Sequence, residues 1–198
     1  MCGIVGYNGA RPVTDFLLDA LELLEYRGYD SAGLATINAE TGRTKLRKCA
    51  GRVADLRKIC ENDKKQATCG IGHTRWATHG GVSDENAHPH RQGNVLLVHN
   101  GIVENYEELR DHFMLSKDLK SETDTEVVAG VLNRYYDGDP HKAIAQTVKH
   151  LKGTFALVII FDDIPDVIYA IRNVSPIVAA RTEDGTMLAS DVAALGSH

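Results

Sequence analysis

Where the two hydrophobic periods fall along this chain limits its fold more than any other feature. Short apolar or alternating runs occupy both ends, and 3.6-residue patterns are grouped between them. Cys2-Gly3-Ile4-Val5-Gly6-Tyr7 reads as a strand. Pro12 opens a helix that carries Val13, Phe16, Leu17, Ala20, Leu21 and Leu24 on one face, with Asp15 in the first turn, where the helix dipole favours a carboxylate. Ser31 to Asn38 and Thr44 to Ala50 read as the arms of a hairpin with Thr41-Gly42 in its loop. Val53 to Lys65 predicts a helix, followed by a strand near Thr68 to Arg75. From Trp76 to Gly93 no period survives, and a loop of that length inside a compact domain is usually functional. Val95 to Val98 reads as a buried strand.

Helical spacing resumes at Tyr106, Leu109 and Phe113, and again at Val127, Val128, Val131, Leu132 and Tyr135. Thr123-x-x-Glu126 is the pattern of a capping box, and a third helix starts near Pro140. Strand patterns close the chain at Phe155–Asp162, Val167–Arg172, Ile177–Arg181 and Met187–Ser190. Helices segregated from strands predict an α+β fold with mostly antiparallel sheets, not alternating βαβ units. Neither an internal repeat nor linker composition interrupts the pattern, so one domain is expected.

Composition narrows the function classes. The net charge of −5 argues against a nucleic-acid or anionic-membrane surface, both of which need a positive field. The longest apolar run, Phe155 to Phe161, is far short of the roughly 20 residues that span a bilayer. With no secretory signal pattern at the N-terminus, the expectation is a soluble, cytoplasmic protein that binds neither nucleic acid nor membrane. Four cysteines without a CxxC pair make a disulfide scaffold or thiolate zinc site a poor fit. Cys49, Cys60 and Cys69 sit in apolar or periodic surroundings and read as small buried hydrophobes. The basic run from Arg43 to Arg52 reads as a solvated hairpin face.

Cys2 is different, because it directly follows the initiator Met. Removing Met1 would put a thiol and a free α-amine on one residue. The amine has a reference pKa of about 7.7–8.0 and the thiol about 8.5, so at neutral pH the amine can accept the thiol proton. Those are the two parts of an activated nucleophile, and Gly3 would let a substrate approach closely. Arg75 stands where a strand meets the long loop and can fork onto a carboxylate. Asn100-Gly101 places a side-chain amide beside a flexible backbone N–H, suited to an oxyanion hole or simply to a turn. His79, His88 and His90, with His99 nearby, lack cysteine or carboxylate at ligand spacing. They read as structural or substrate-contacting residues ahead of metal ligands.

Six segments in order then identify a family. They are Met1-Cys2-Gly3-Ile4-Val5-Gly6, Tyr26-Arg27-Gly28-Tyr29-Asp30-Ser31-Ala32-Gly33 and His73-Thr74-Arg75-Trp76-Ala77-Thr78-His79-Gly80, followed by Asn86-Ala87-His88-Pro89-His90, Val98-His99-Asn100-Gly101-Ile102-Val103-Glu104-Asn105 and Ser121-Glu122-Thr123-Asp124-Thr125-Glu126. Together they resemble the glutaminase domain of the glucosamine-6-phosphate synthases, which are class II glutamine amidotransferases. Ser190-Asp191 and Ala194-Leu195 resemble a later segment of the same family.

The resemblance implies an N-terminal nucleophile hydrolase fold, a four-layer αββα sandwich with two antiparallel sheets. It implies that Cys2, freed of Met1, attacks the side-chain amide of L-glutamine with its own α-amine as base, releasing ammonia and then glutamate. Asn100 and the Gly101 N–H would hold the oxyanion, Arg75 the substrate α-carboxylate and Asp124 its α-ammonium. Thr78, His79 and His88 would contact glutamine, Trp76 would gate the path of ammonia and Arg27 would position the catalytic end. No cofactor and no metal is implied.

The resemblance places fructose 6-phosphate only on sugar-isomerase domains absent from residues 1–198, in a full-length enzyme expected to be a homo-oligomer. The chain is expected to be a glutaminase domain cut short at its C-terminal end, with Gly196-Ser197-His198 reading as vector-derived. On sequence alone three classes stay open: a glutaminase of this or another class II amidotransferase, a metal-dependent hydrolase built on the loop histidines, and a catalytically silent glutamine-binding module.

Overall fold

The structure is a computed structural model that describes residues 2–38, 40–63 and 67–196. Met1, Lys64, Lys65, Ser197 and His198, on which some of the expectations above fall, lie outside those residues. Among the described residues, ten strands form two antiparallel sheets. The six-stranded sheet has the order β3 (Thr44–Ala50), β2 (Ser31–Ile37), β4 (Cys69–Arg75), β1 (Gly3–Gly9), β10 (Gly185–Ala189), β9 (Val178–Thr182). The four-stranded sheet has the order β5 (His90–Gln92), β6 (Val95–Val103), β7 (Gly153–Phe161), β8 (Ile164–Asn173).

The side-chain alternation of the strands dictates how the sheets stack. Ile4, Ala35, Ile37 and Ile71 from one sheet meet Leu96, Val98, Val158 and Ile160 from the other in a buried layer between them. The intervening residues face outward. Val5, Tyr7 and Leu34 pack under α1 (Val13–Leu23) and α2 (Val53–Ile59). Val95, Leu97, Leu157, Ile159 and Phe161 pack under α3 (Tyr106–His112), α4 (Asp124–Tyr135) and α5 (Pro140–His150). The order helix, sheet, sheet, helix is the four-layer sandwich expected from the resemblance. Each fully buried Leu or Ile adds about 1.5–3 kcal/mol of transfer free energy to it. Among the described residues, no helix is long and apolar enough to cross a membrane.

Five expectations need correction. The predicted helix Val53–Lys65 ends at Ile59. The Asp63 N–H turns back to the Cys60 carbonyl at 2.8 Å, and the Asp63 carboxylate is held by Lys45 and Arg47, each at 2.8 Å. The same contacts show that the basic hairpin face is not simply solvated. Lys48 adds to them, donating from Nζ to the carbonyls of Glu85 and Ala87 at 2.9 Å each. Within the long loop, His90–Gln92 is a short strand paired with β6. Asn100-Gly101 lies inside β6, which runs to Val103 because β7 pairs with it along its whole length, from Val95↔Phe161 to Val103↔Gly153. The capping box is half formed: Thr123 Oγ1 accepts from the Glu126 N–H, but the Glu126 carboxylate accepts from the N–H groups of Lys120 and Ser121 instead.

The fold buries four histidines, His73, His88, His90 and His99, each no more than 5% exposed. Loss of water disfavours the imidazolium, so burial pushes His73 down to about 3 and lowers the other three from the usual range. Unfolded histidines titrate near about 6.5. Below that pH the unfolded chain takes up protons that the folded chain does not, and the folded state loses stability as the pH falls towards the depressed values. Each histidine can contribute up to about 1.4 kcal/mol per pH unit over that window. Urea midpoints should therefore drop markedly between pH 7.5 and pH 5. A midpoint that stays constant would show these rings to be protonated in place.

Candidate active site

β1 enters the middle of the six-stranded sheet with Gly3 opposite Thr74, so the residue before it lands beside the end of β4. The Trp76 N–H donates to Cys2 Sγ at 3.2 Å, and the thiol can donate to the Trp76 carbonyl at 3.5 Å. The Cys2 carbonyl accepts from Asn100 Nδ2 at 2.9 Å and from Arg27 Nε at 3.1 Å. Arg27 in turn donates from Nη1 to Asp191 at 2.7 Å, and Tyr26 donates its hydroxyl to the same carboxylate at 2.7 Å. Burial pushes the Cys2 thiol up; the Trp76 N–H and the charges of Arg75 and Arg27 pull the other way.

The structure brings the ten residues implied by the resemblance to one place, while His90 lies outside it. Cys2, Arg27, Arg75, Trp76, Thr78, His79, His88, Asn100, Gly101 and Asp124 all line a single cavity of about 350 Å³. Asp124 opens α4, where the helix dipole favours its charge, and its Oδ2 accepts from the Val103 N–H at 2.9 Å. Arg75, almost fully buried, spends part of its fork on the following loop, donating to the carbonyls of His79, Gly80 and Gly81. Its five N–H groups serve three carbonyls, so donors remain for a ligand. Thr78 and Trp76 are exposed at the mouth, with Trp76 edge-on to Tyr29 at 5.7 Å. His79 packs against Tyr106 at 5.4 Å.

Two glycines have roles that can be read from geometry. Gly101 has φ +132°, and a Cβ there would lie 2.0 Å from the Thr154 carbonyl oxygen, so only glycine fits beside Asn100. At Gly3 a Cβ would meet Thr74 Oγ1 at 2.6 Å and Leu24 Cβ at 2.7 Å. Packing of β1 against β4 and the end of α1 requires that glycine, rather than the close approach of a substrate expected from sequence.

The loop is tied down on both sides. The Ala77 N–H donates to Asp30, and Asn86 bridges the Gly81 carbonyl and the Glu122 N–H at 3.0 and 2.9 Å. Sequence reasoning placed His99 near the loop histidines but gave no role to His73 or Thr125. His99 and Thr125 line the cavity, and His73 lies behind it. Asp191 was present only as part of a resembling segment, and its link to Arg27 spans 164 residues. Among the described residues, no group of three or more His, Cys, Asp or Glu is arranged to hold a metal. A thiol with adjacent N–H donors, a cation and a carboxylate in one small cavity suits nucleophilic attack on a zwitterionic substrate.

The family model described as "Glutamine amidotransferase domain" matches residues 73–197. A glutamine–fructose-6-phosphate aminotransferase (isomerizing) of Clostridium acetobutylicum is 44% identical, covering 100% of this chain and 33% of the relative. One from Symbiobacterium thermophilum is 47% identical, covering 98% of this chain and 32% of the relative. The chain thus spans about a third of the length of these curated relatives. Among solved structures, an allosteric regulatory enzyme of purine biosynthesis superposes with a TM-score of 0.86 at 25% identity over 98% of this chain and 43% of that one. The glutamine phosphoribosylpyrophosphate amidotransferase of B. subtilis superposes with 0.84 at 24% identity, again over 98% and 43%. Through the family match and the shared fold, the chain belongs to the glutamine amidotransferase domain family.

Proposed function

We propose that this domain hydrolyses L-glutamine to glutamate and ammonia with Cys2 as an N-terminal nucleophile. The single observation that carries the reading is the convergence of Cys2, Arg75, Asn100 and Asp124 on one cavity from four separate parts of the chain. Once Met1 is removed, the α-amine of Cys2 takes the thiol proton and the sulfur attacks the glutamine side-chain carbonyl carbon. The oxyanion is met by the Asn100 side-chain amide and the Gly101 N–H. Collapse breaks the C–N bond, the amine returns the proton, and ammonia leaves a glutamyl thioester. Water then adds to that carbonyl, sulfur departs, and glutamate is released.

Recognition rests on a cation and an anion. Arg75 meets the substrate α-carboxylate with its remaining donors, and Asp124 meets the α-ammonium. Thr78, His79 and His88 add contacts, Arg27 holds the Cys2 carbonyl in place, and Trp76 stands where ammonia would leave. In the full-length protein the ammonia would convert fructose 6-phosphate to glucosamine 6-phosphate on following sugar-isomerase domains, in a cytoplasmic homo-oligomer. The names and the identity of the longer relatives support the fructose 6-phosphate part of that reading.

Intact mass should show a mature chain beginning at Cys2, and Cys2→Ala should abolish glutamate release while the circular dichroism spectrum is preserved. Continued turnover in that variant would exclude the thioester route. Arg75→Lys replaces a planar fork with a point charge and should weaken kcat/KM for glutamine by about 1–3 kcal/mol, chiefly through KM. A KM equal to that of the parent would remove Arg75 from substrate binding. Treatment with a chelator should leave the rate unchanged, whereas a loss restored by zinc would favour a metal-dependent hydrolase on the loop histidines.

A further inference from the structure

Asn100 can stabilise an oxyanion only if its NH₂, and not its C=O, is turned towards Cys2. The side chain is planar and nearly symmetric in shape, so something must enforce that orientation. The contacts around it do so from both ends. On one side the nearest atom is the Cys2 carbonyl oxygen at 2.9 Å, which can only accept. On the other, Oδ1 lies 3.0 Å from Nε2 of His73, a residue with no exposed surface.

His73 Nε2 also lies 3.0 Å from the His99 backbone carbonyl. A carbonyl cannot donate, so Nε2 must carry the proton whichever way Asn100 points. An Asn100 amide turned over would set N–H against N–H at His73 and C=O against C=O at Cys2. His88 Nδ1 lies almost equally far from the two ring nitrogens of His73, 3.1 Å from Nδ1 and 3.2 Å from Nε2; with the Nε2 proton committed to the carbonyls, Nδ1 is the nitrogen left to accept from it. Burial that lowers His73 to about 3 keeps the ring neutral with one N–H.

We infer that His73 is a positioning residue whose Nε2–H fixes the side-chain amide of Asn100 with its NH₂ towards Cys2. His73 does not line the cavity and touches no substrate; it acts through Asn100. The inference rests on the glutaminase reading for its catalytic meaning, but the orientation itself can be observed without turnover.

Long-range proton–nitrogen spectra of the folded wild-type protein at pH 7 should show His73 neutral and protonated at Nε2. A ring protonated at Nδ1, or doubly protonated, overturns the inference even if glutamine hydrolysis proceeds. In kinetics, His73→Leu removes the donor and should lower kcat by about 10–100-fold with KM within about twofold. His73→Gln places an amide N–H₂ near the position of Nε2 and should recover kcat to within about fivefold. In an Asn100→Ala background, His73→Leu should cause no further loss of kcat. Equal kcat for the Leu and Gln variants at matched folded fraction, or a loss confined to KM, would reduce His73 to a packing residue. A wild-type protein that releases no glutamate defeats the glutaminase reading alone, because the tautomer still decides the orientation of Asn100.

Discussion

The antiparallel pairing of β1 between β4 and β10 is the constraint from which the site follows. A chain terminus is ordinarily the least ordered part of a domain unless a sheet ties it down. Here the first strand lies inside the sheet, with backbone partners on both sides from Gly3↔Thr74 and Val5↔Ala189 onward. The Ile4 N–H donates to the Ser190 hydroxyl and the Ser190 N–H to the Ile4 carbonyl, each at 2.9 Å, closing the last gap. Cys2 is thereby held next to Trp76 by main-chain geometry, and its carbonyl is fixed by Arg27 and Asn100. Chemistry at the start of a chain is feasible only on such a support.

A second constraint is polar. The layer between the sheets is aliphatic over most of its area and turns to histidine near the site. Uncharged imidazoles can donate and accept at once, which lets His73 reconcile a main-chain carbonyl with an asparagine carbonyl in the absence of bulk water. Around the rim, carbonyl clamps do the same work for the loop: Lys48 holds Glu85 and Ala87 from behind, and Arg75 holds residues 79–81 from within. The domain thus places a long irregular segment under several long-range restraints.

Much of this was legible in the residues. The short apolar runs Val95–Val98 and Phe155–Phe161, set apart from the helical faces of α1 and α4, predicted the α+β class, because buried strands and one-sided helices leave different patterns. The ten candidate site residues came from local motifs and a family resemblance, and all ten line one cavity. What escaped was non-local. β5 and the second half of β6 are polar and acquire strand geometry from pairing with neighbours, and α2 stops short because Asp63 is captured by β3. His73 and Asp191 act on residues 27 and 164 positions away, and no window along the chain relates them.

By itself, then, the sequence determined most of the strands and helices, the presence of a cysteine beside the initiator, and the set of charged and amide side chains in the matched segments. These follow from side-chain chemistry and periods of two or 3.6 residues. Only the tertiary structure decided that those groups share a cavity, that Gly3 serves packing instead of substrate access, and that Asn100 turns its NH₂ towards Cys2. Each of those outcomes depends on contacts between distant strands, whose register comes from burying both faces of two sheets at once and is written in no single segment.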